Sequence, residues 1–324
     1  MASATRSTST NSRTRPAGRP ERLRVYQNHH LDSTRWDAYK RRGTDVVIST
    51  SVKAGTTWMQ RIMSLLVFGT GELPAPSLWQ LSPWVDCRFQ EPAEMMHERV
   101  EALPDTRFLK SHLPLDALPY FDDVRYICVG RDTRDVFMSL ANHYGSYTEL
   151  TLQALAMGDP VGGPCPKAPD DIHVLWRDYM TRASFDWETD GYPFWSHHYH
   201  LMSFWRYRDL PNVLLVHYND LKRDLEGQMR YVAKFVDIDV AEEKWPDLVR
   251  AASFESMKAD ADRLLPETNF AFEGGSQTFV NKGTNNRWRE ALSESELDLY
   301  EQAAERALDP EARAWLEGSA LNSA

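Results

Sequence analysis

Cysteine is scarce: Cys87, Cys128 and Cys165 are the only three in 324 residues. They are odd in number, far apart and without a Cys-x-x-Cys pair. That argues against a disulfide scaffold, supplies no zinc-ribbon spacing and fits a reducing compartment. Long apolar runs are missing too. The most apolar stretch, Ile62–Phe68, is far short of the roughly 20 residues that cross a bilayer, so no stable membrane insertion is expected. Positive charge is in deficit, with 37 basic against 47 acidic side chains and a formal net charge of −10. A general nucleic-acid coat protein would carry a positive face over much of its surface, and no nucleic-acid partner is expected. There is no internal repeat, no domain linker and no apolar core of a secretion signal. A cytoplasmic protein is the expectation.

What remains is ordinary globular composition, 42% hydrophobic and 26% charged. Residues 1–24 stand apart. They are rich in Ser, Thr and Arg (Arg6, Arg13, Arg15, Arg19, Arg22, Arg24), with Glu21 the only acid. They read as a solvated, disordered tail ahead of one domain over 25–324.

Past residue 40, short β-rich runs alternate with helical runs, the pattern of a parallel sheet covered by helices. Strands are expected over 44–50, 107–111, 124–130 and 212–217. Helices are expected over about 55–68, 133–142 and 220–235. Residues 145–205 have a different composition, with Trp176, Trp187, Trp195 and Trp205, and read as an aromatic-rich insertion. Gly158–Pro166 inside it must be a loop. The fold class is therefore α/β, a single domain with a central parallel sheet flanked by helices.

The most informative segment is Thr50-Ser-Val-Lys-Ala-Gly-Thr-Thr-Trp58, between a central strand and a helix. In open α/β sheets, ligands bind beyond the carboxyl ends of the strands. A helix starting there points free N–H groups and its positive dipole end at an anion. Gly55 allows close backbone approach, Thr56 and Thr57 add hydroxyls, and Lys53 adds a point charge. An ordinary βα turn with a solvent-facing lysine would share this pattern. A Walker A loop would not, because its lysine follows the second glycine.

This segment resembles the 5′-phosphosulfate loop, usually written TxPKSGTTW, of the sulfotransferases that use 3′-phosphoadenosine-5′-phosphosulfate (PAPS), in the cytosolic type and a bacterial-like form. Val52 stands for the proline and Ala54 for the serine. A second family element is a strand followed by an arginine and, eight residues on, a serine that together hold the 3′-phosphate; Arg131 and Ser139 fit in register. An arginine beyond a strand end is a bidentate anion clamp, although a surface ion pair would use it equally. Asp132 and Asp135 read as a capping pair for the following helix. Leu109–Pro114 resembles KTHLP, with Lys110 and His112 two apart and therefore on one face of a strand end.

Tyr218 falls at the family's adenine-contacting tyrosine. Ala252–Met257 resembles Thr-Ser-Phe-x-x-Met and offers Ser253, Phe254 and Met257, which helix packing would use as well. Phe279–Arg289 resembles RKGxxGDWK, keeping Lys282, Gly283 and Trp288. Asn281 replaces its arginine and removes a bidentate contact that lysine cannot copy; compensation would fall to Arg287 or Arg289, which the sequence does not show. The family's dimerisation motif is not recognisable around 289–299, which leaves the oligomeric state open. The resemblance covers roughly residues 40–300.

What the resemblance implies is a nucleotide site like that of P-loop kinases. Sulfuryl transfer from PAPS to an acceptor hydroxyl of a phenol, alcohol or glycolipid would leave 3′-phosphoadenosine-5′-phosphate (PAP). His112 would be the base and Lys53 and Lys110 the charge-stabilising residues. Lys53, Ala54, Gly55, Thr56, Thr57 and Trp58, with Arg131, Ser139, Tyr218, Ser253, Phe254, Met257, Asn281, Lys282 and Gly283, would bind the nucleotide. The insertion would cap the acceptor site. No metal is expected; His197, His198 and His200 lie in an aromatic helix with no carboxylate nearby to complete a usual ligand set. The alternatives are a small-molecule or nucleotide kinase of related fold and a non-catalytic PAP-binding protein.

Overall fold

The computed structural model describes residues 18–157 and 163–318. Strands β1 (Val46–Ser49), β2 (Phe108–Ser111), β3 (Arg125–Gly130) and β4 (Val213–His217) form one sheet in the order β2-β1-β3-β4, parallel throughout. Parallel neighbours need long crossovers, which lay helices on both faces and bury the strands twice over. That is why the strand sequences are nearly continuous apolar runs.

The two-residue period sorts these side chains between two cores. Val46, Ile48, Phe108, Ile127, Val129, Leu214 and Val216 face the helix Thr56–Phe68, meeting its Met59, Ile62 and Met63. Val47, Leu109, Tyr126 and Cys128 face the opposite core, with Phe137, Trp176, Trp205 and Trp315. The tryptophans of the 145–205 region thus pack into the main body of the fold.

From β1 the chain first adds β2 on one side and then β3 on the other. The order reverses between β1 and β3, and a crevice opens beyond their carboxyl ends. The segment following β1 is Thr50–Trp58, and the residue following β3 is Arg131.

Two local expectations need correction. The helix expected over 220–235 is two, Tyr218–Arg223 and Leu225–Phe235. Asp224 leaves helical geometry at φ −144°, ψ 76°, and its carboxylate caps the second helix by accepting from Gly227 N–H. A local side-chain cap competes with helix continuity at such residues. The tail expected over 1–24 divides: 1–17 lie outside the described residues, while 18–24 are bound to the body. Leu23 and Arg24 N–H both donate to the Asp116 carbonyl, at 2.7 and 3.1 Å. Arg22 pairs with Asp37 and Arg19 with Asp122. Of the expected loop Gly158–Pro166, residues 158–162 lie outside the described residues and the rest is neither helix nor strand.

The amino ends of β1 and β2 are tied by a fully buried ion pair. Arg107 Nε and Nη2 donate to Asp45 Oδ1 and Oδ2 at 2.8 and 2.6 Å. Both side chains are wholly shielded from solvent. Removing one partner strands the other charge, so Arg107→Met is expected to lose about 3–5 kcal/mol in equilibrium urea unfolding. A loss under about 1 kcal/mol would show that the pair does not anchor these strands.

Candidate active site

The Thr50–Trp58 segment is shaped for an anion. Lys53 has φ 64°, a left-handed conformation that costs a non-glycine residue energy and persists where surrounding structure enforces it. Gly55, at φ 131°, is the N-cap of the Thr56–Phe68 helix and provides no side-chain cap. A Cβ there would stand 3.2 Å from both Tyr218 and Val129, a tight approach added to a φ that disfavours any side chain. The first-turn amides therefore have no capping side chain competing with a ligand. Thr50 and Thr56 hydroxyls bond to each other inside the loop.

Lys53, Lys110 and His112 line one cavity. Lys53 Nζ sits 4.4 Å from the Phe279 ring centroid. Burial first, then the charges of Arg131 and Lys110, push its pKa down to about 7. Lys110 Nζ lies 4.1 Å over the Trp84 ring, and burial pushes its pKa down to about 8 against the pull of Cys87 and Asp86. His112 Nδ1 is 2.7 Å from the Thr50 carbonyl oxygen. A carbonyl only accepts, so the proton is on Nδ1 and Nε2 keeps its lone pair. Burial, then Lys110, hold this imidazole well below its ordinary pKa.

Buried Asp86, unremarked in the sequence, organises this corner. It accepts from Trp84 Nε1 at 2.7 Å, Trp36 Nε1 at 3.0 Å and the His112 backbone N–H at 3.2 Å.

Arg131 and Ser139 line the same cavity, as does Arg287. Arg131 stacks 4.2 Å over the Tyr218 ring and donates to the Lys53 carbonyl at 3.3 Å and to Asn285 Oδ1 at 3.0 Å. Asp132 caps the following helix, accepting from Arg134 N–H. Asp135, expected to share that task, instead accepts from Asn286 N–H at 2.6 Å and holds the 281–289 segment in place. Nε of Arg131 and of Arg287 are both buried with no hydrogen-bond partner among the described residues. Burial, then Arg131, lower the Arg287 pKa. This donor set fits a ligand with anionic groups at two places. Arg289 points elsewhere, lying 4.5 Å over Trp288.

The three histidines of the helix His197–Trp205 are braces. His197 links Ser51 of the phosphate loop to the Arg131 carbonyl, the latter at 2.8 Å. His198 bonds Asp190 and Thr133 at 2.7 and 2.9 Å, and His200 bonds Ser49 at 3.1 Å.

Of the expected nucleotide residues, Thr56, Thr57, Trp58, Tyr218, Phe254, Met257, Asn281 and Gly283 join the lining. Three do not. Ser253 caps the helix Phe254–Ala259, its oxygen taken by Ser256 N–H at 3.1 Å. Lys282 is exposed outside the lining, and Ala54 is fully buried, its N–H bonded to Ser51 O at 3.3 Å. Missed in the sequence were His30, His143 and Tyr147. Ser139 and His143 lie four apart on the helix Thr133–Gly145, a helical-face signal that was there to read, whereas Tyr147 follows the end of that helix.

A neutral imidazole and several cations gathered at the switch point of a parallel sheet make a cavity of the class that receives a strongly anionic ligand. Comparison with known proteins makes that class particular. Residues 43–310 match the family model described as the sulfotransferase domain. A glycolipid sulfotransferase of Mycobacterium bovis is 31% identical over 306 residues, covering 90% of this chain and 93% of that protein. The luciferin sulfotransferase of Photinus pyralis is 24% identical over 295 residues, 82% of this chain and 72% of its own. Retinol dehydratase, solved with androsterone and the inactive cofactor PAP, superposes with a TM-score of 0.65 at 20% identity, over 86% of this chain and 84% of that one. The chain belongs to the sulfotransferase family. It is a PAPS-dependent sulfotransferase, which decides against the kinase and the non-catalytic alternatives.

The two depressed lysines lead to an expected pH dependence of PAP binding. An anion beside them favours the ammonium form, so each pKa rises on binding. PAP phosphates, with second pKa values near 6, are fully charged above pH 7. PAP affinity is therefore expected to fall as pH rises from about 7 to 9, by up to tenfold per unit per proton taken up. Calorimetry in buffers of different ionisation enthalpy should show proton uptake at pH 8, reduced in Lys53→Met. A pH-independent affinity would mean that both ammonium groups are already charged in the free enzyme.

Proposed function

We propose that His112 is the general base for the acceptor hydroxyl and that Lys53 and Lys110 stabilise the charge that develops during transfer. The observation that carries this reading is the His112 tautomer. Its Nδ1–H is committed to the Thr50 carbonyl, so the cavity's base is Nε2 of an imidazole kept neutral by burial and by Lys110. A neutral imidazole beside two ammonium groups can take a hydroxyl proton while they meet anionic charge.

PAPS, when bound, supplies an activated sulfuryl group. Thr56 and Thr57 with the helix N-terminus would hold its 5′-phosphate. Arg131 and Ser139 would hold the 3′-phosphate, and Arg287 would supply the guanidinium that Asn281 does not. Trp58, Tyr218, Phe254 and Met257 would receive the adenine. The remaining wall includes Phe89, Phe194 and Trp195, an apolar half with room for a lipid, phenol or sterol-like body. Part of it comes from residues 145–205, which in this reading cap the acceptor. The name of the mycobacterial relative supports a glycolipid acceptor among the small hydroxyl compounds.

His112→Ala is expected to lower kcat by about 10²–10⁴-fold with an unactivated alcohol and to leave PAP affinity nearly unchanged. The acid limb of the wild-type rate should lie below pH 6.5, because turnover is lost only as pH falls through a depressed imidazole pKa. The variant should lack that limb. Full turnover by His112→Ala would place the base elsewhere.

Arg131→Ala and Arg287→Ala should each weaken PAP binding by about 1.5–3 kcal/mol and AMP binding far less. Equal losses for the two nucleotides in calorimetric titrations would overturn the 3′-phosphate assignment.

A further inference from the structure

A chain of hydrogen bonds runs through the acceptor half of the cavity, and its first member fixes every proton in it. His29 Nε2 lies 2.7 Å from the Pro193 carbonyl oxygen. That oxygen can only accept, so His29 carries its proton on Nε2. Burial pushes the His29 pKa down to about 4, so the ring is neutral and its Nδ1 is a bare acceptor. His29 Nδ1 meets His30 Nδ1, which must therefore be the donor. His30 Nε2 then accepts from the Tyr147 hydroxyl at 3.0 Å. Tyr147 has one proton, now committed, so its oxygen accepts from His143 Nε2–H at 3.2 Å.

His143 is left with an unprotonated Nδ1. This atom is buried and has no hydrogen-bond partner among the described residues. Its surroundings are apolar, with Phe272 and Phe279 at 4.6 and 5.7 Å between ring centroids. Burial, first among the causes, keeps the ring from charging, and Lys53, Lys110 and His112 are close enough to add to the effect. A buried acceptor without a donor costs free energy, so the position calls for a ligand N–H or O–H. His143 sits one turn beyond Ser139 on the helix Thr133–Gly145, and both line the cavity with His112.

We propose that His143 is a specificity-determining residue whose Nδ1 accepts a hydrogen bond from a second hydroxyl of the acceptor, so that the enzyme selects polyols, such as a sugar, over single alcohols. This rests on the preceding reading only in placing the acceptor beside His112.

The test compares octyl β-glucoside, its monodeoxy analogues and n-octanol as acceptors with PAPS, the sulfated position being mapped by tandem mass spectrometry. Deleting one non-reacting hydroxyl should lower wild-type kcat/KM about 10–100-fold. His143→Phe should flatten that difference to within about threefold. His143→Asn, whose Oδ1 can stand near the lost Nδ1, should restore part of it. Equal kcat/KM for every non-reacting deletion in wild type would overturn the proposal. Full turnover by His112→Ala in the same assay would fault the base assignment alone.

A second measurement is independent of the acceptor. Nitrogen-15 NMR of the PAP complex should show a pyridine-type Nδ1 and a pyrrole-type Nε2 for His143, assigned by the signals lost in His143→Phe. The opposite tautomer would overturn the proposal. If no member of the panel is turned over, this measurement decides.

Discussion

Like charges held together out of water set the terms for this structure. Lys53, Lys110, Arg131 and Arg287 line one cavity whose wall contains no aspartate or glutamate among the described residues. Burial presses Lys53, Lys110 and Arg287 toward their neutral forms, and neighbouring cations add to the strain on Lys53 and Arg287. Unmatched charge in a low dielectric is costly. The fold softens the cost with aromatic faces, which attract cations without neutralising them. Phe279 lies under Lys53, Trp84 under Lys110 and Tyr218 under Arg131. A carboxylate in those places would relieve the repulsion and also abolish the attraction for an anionic donor.

Holding four cations against one another requires a stiff frame. The sheet supplies part of it, because β1 and β3 deliver the phosphate loop and Arg131 from adjacent strands. Side chains supply the rest. His197 spans from Ser51 to the Arg131 carbonyl, coupling loop to clamp. Asp86 fixes Trp84 and the His112 backbone together, so the aromatic face under Lys110 and the proposed base share one anchor. Hydrogen-bonded supports of this kind keep reacting groups within the narrow tolerances that transfer chemistry needs.

The half proposed for the acceptor obeys the opposite rule. Its histidines are neutral, and its polarity is carried by the direction of N–H bonds rather than by charge. His112 and His143 each present a bare nitrogen because the other ring nitrogen is committed, one to a carbonyl and one to Tyr147. In the proposed reading the cavity thus offers cations to the nucleotide and lone pairs to the acceptor, a division that would let one enclosed space bind a strongly anionic donor beside a neutral hydroxyl compound.

Much of this was legible in the chain itself. The four strands, the helix after Gly55 and the spacings Lys53 to Gly55, Lys110 to His112 and Arg131 to Ser139 are backbone-local. Strand and helix periods place residues a few apart on one face whatever the rest of the fold does. For the same reason the N-cap roles of Asp224 and Ser253 were within reach of the sequence, although they went unread. What the chain alone could not decide is which distant segments meet. Arg287, and not Arg289, faces Arg131 from 156 positions further along the chain because Asp135 grips Asn286. His29, His30, Tyr147, His143 and Pro193 form one proton chain only because three separate segments converge. Even the His143 tautomer was beyond the sequence. A proton's position on an imidazole is set by the partner of the opposite nitrogen, and that partner is chosen by tertiary packing.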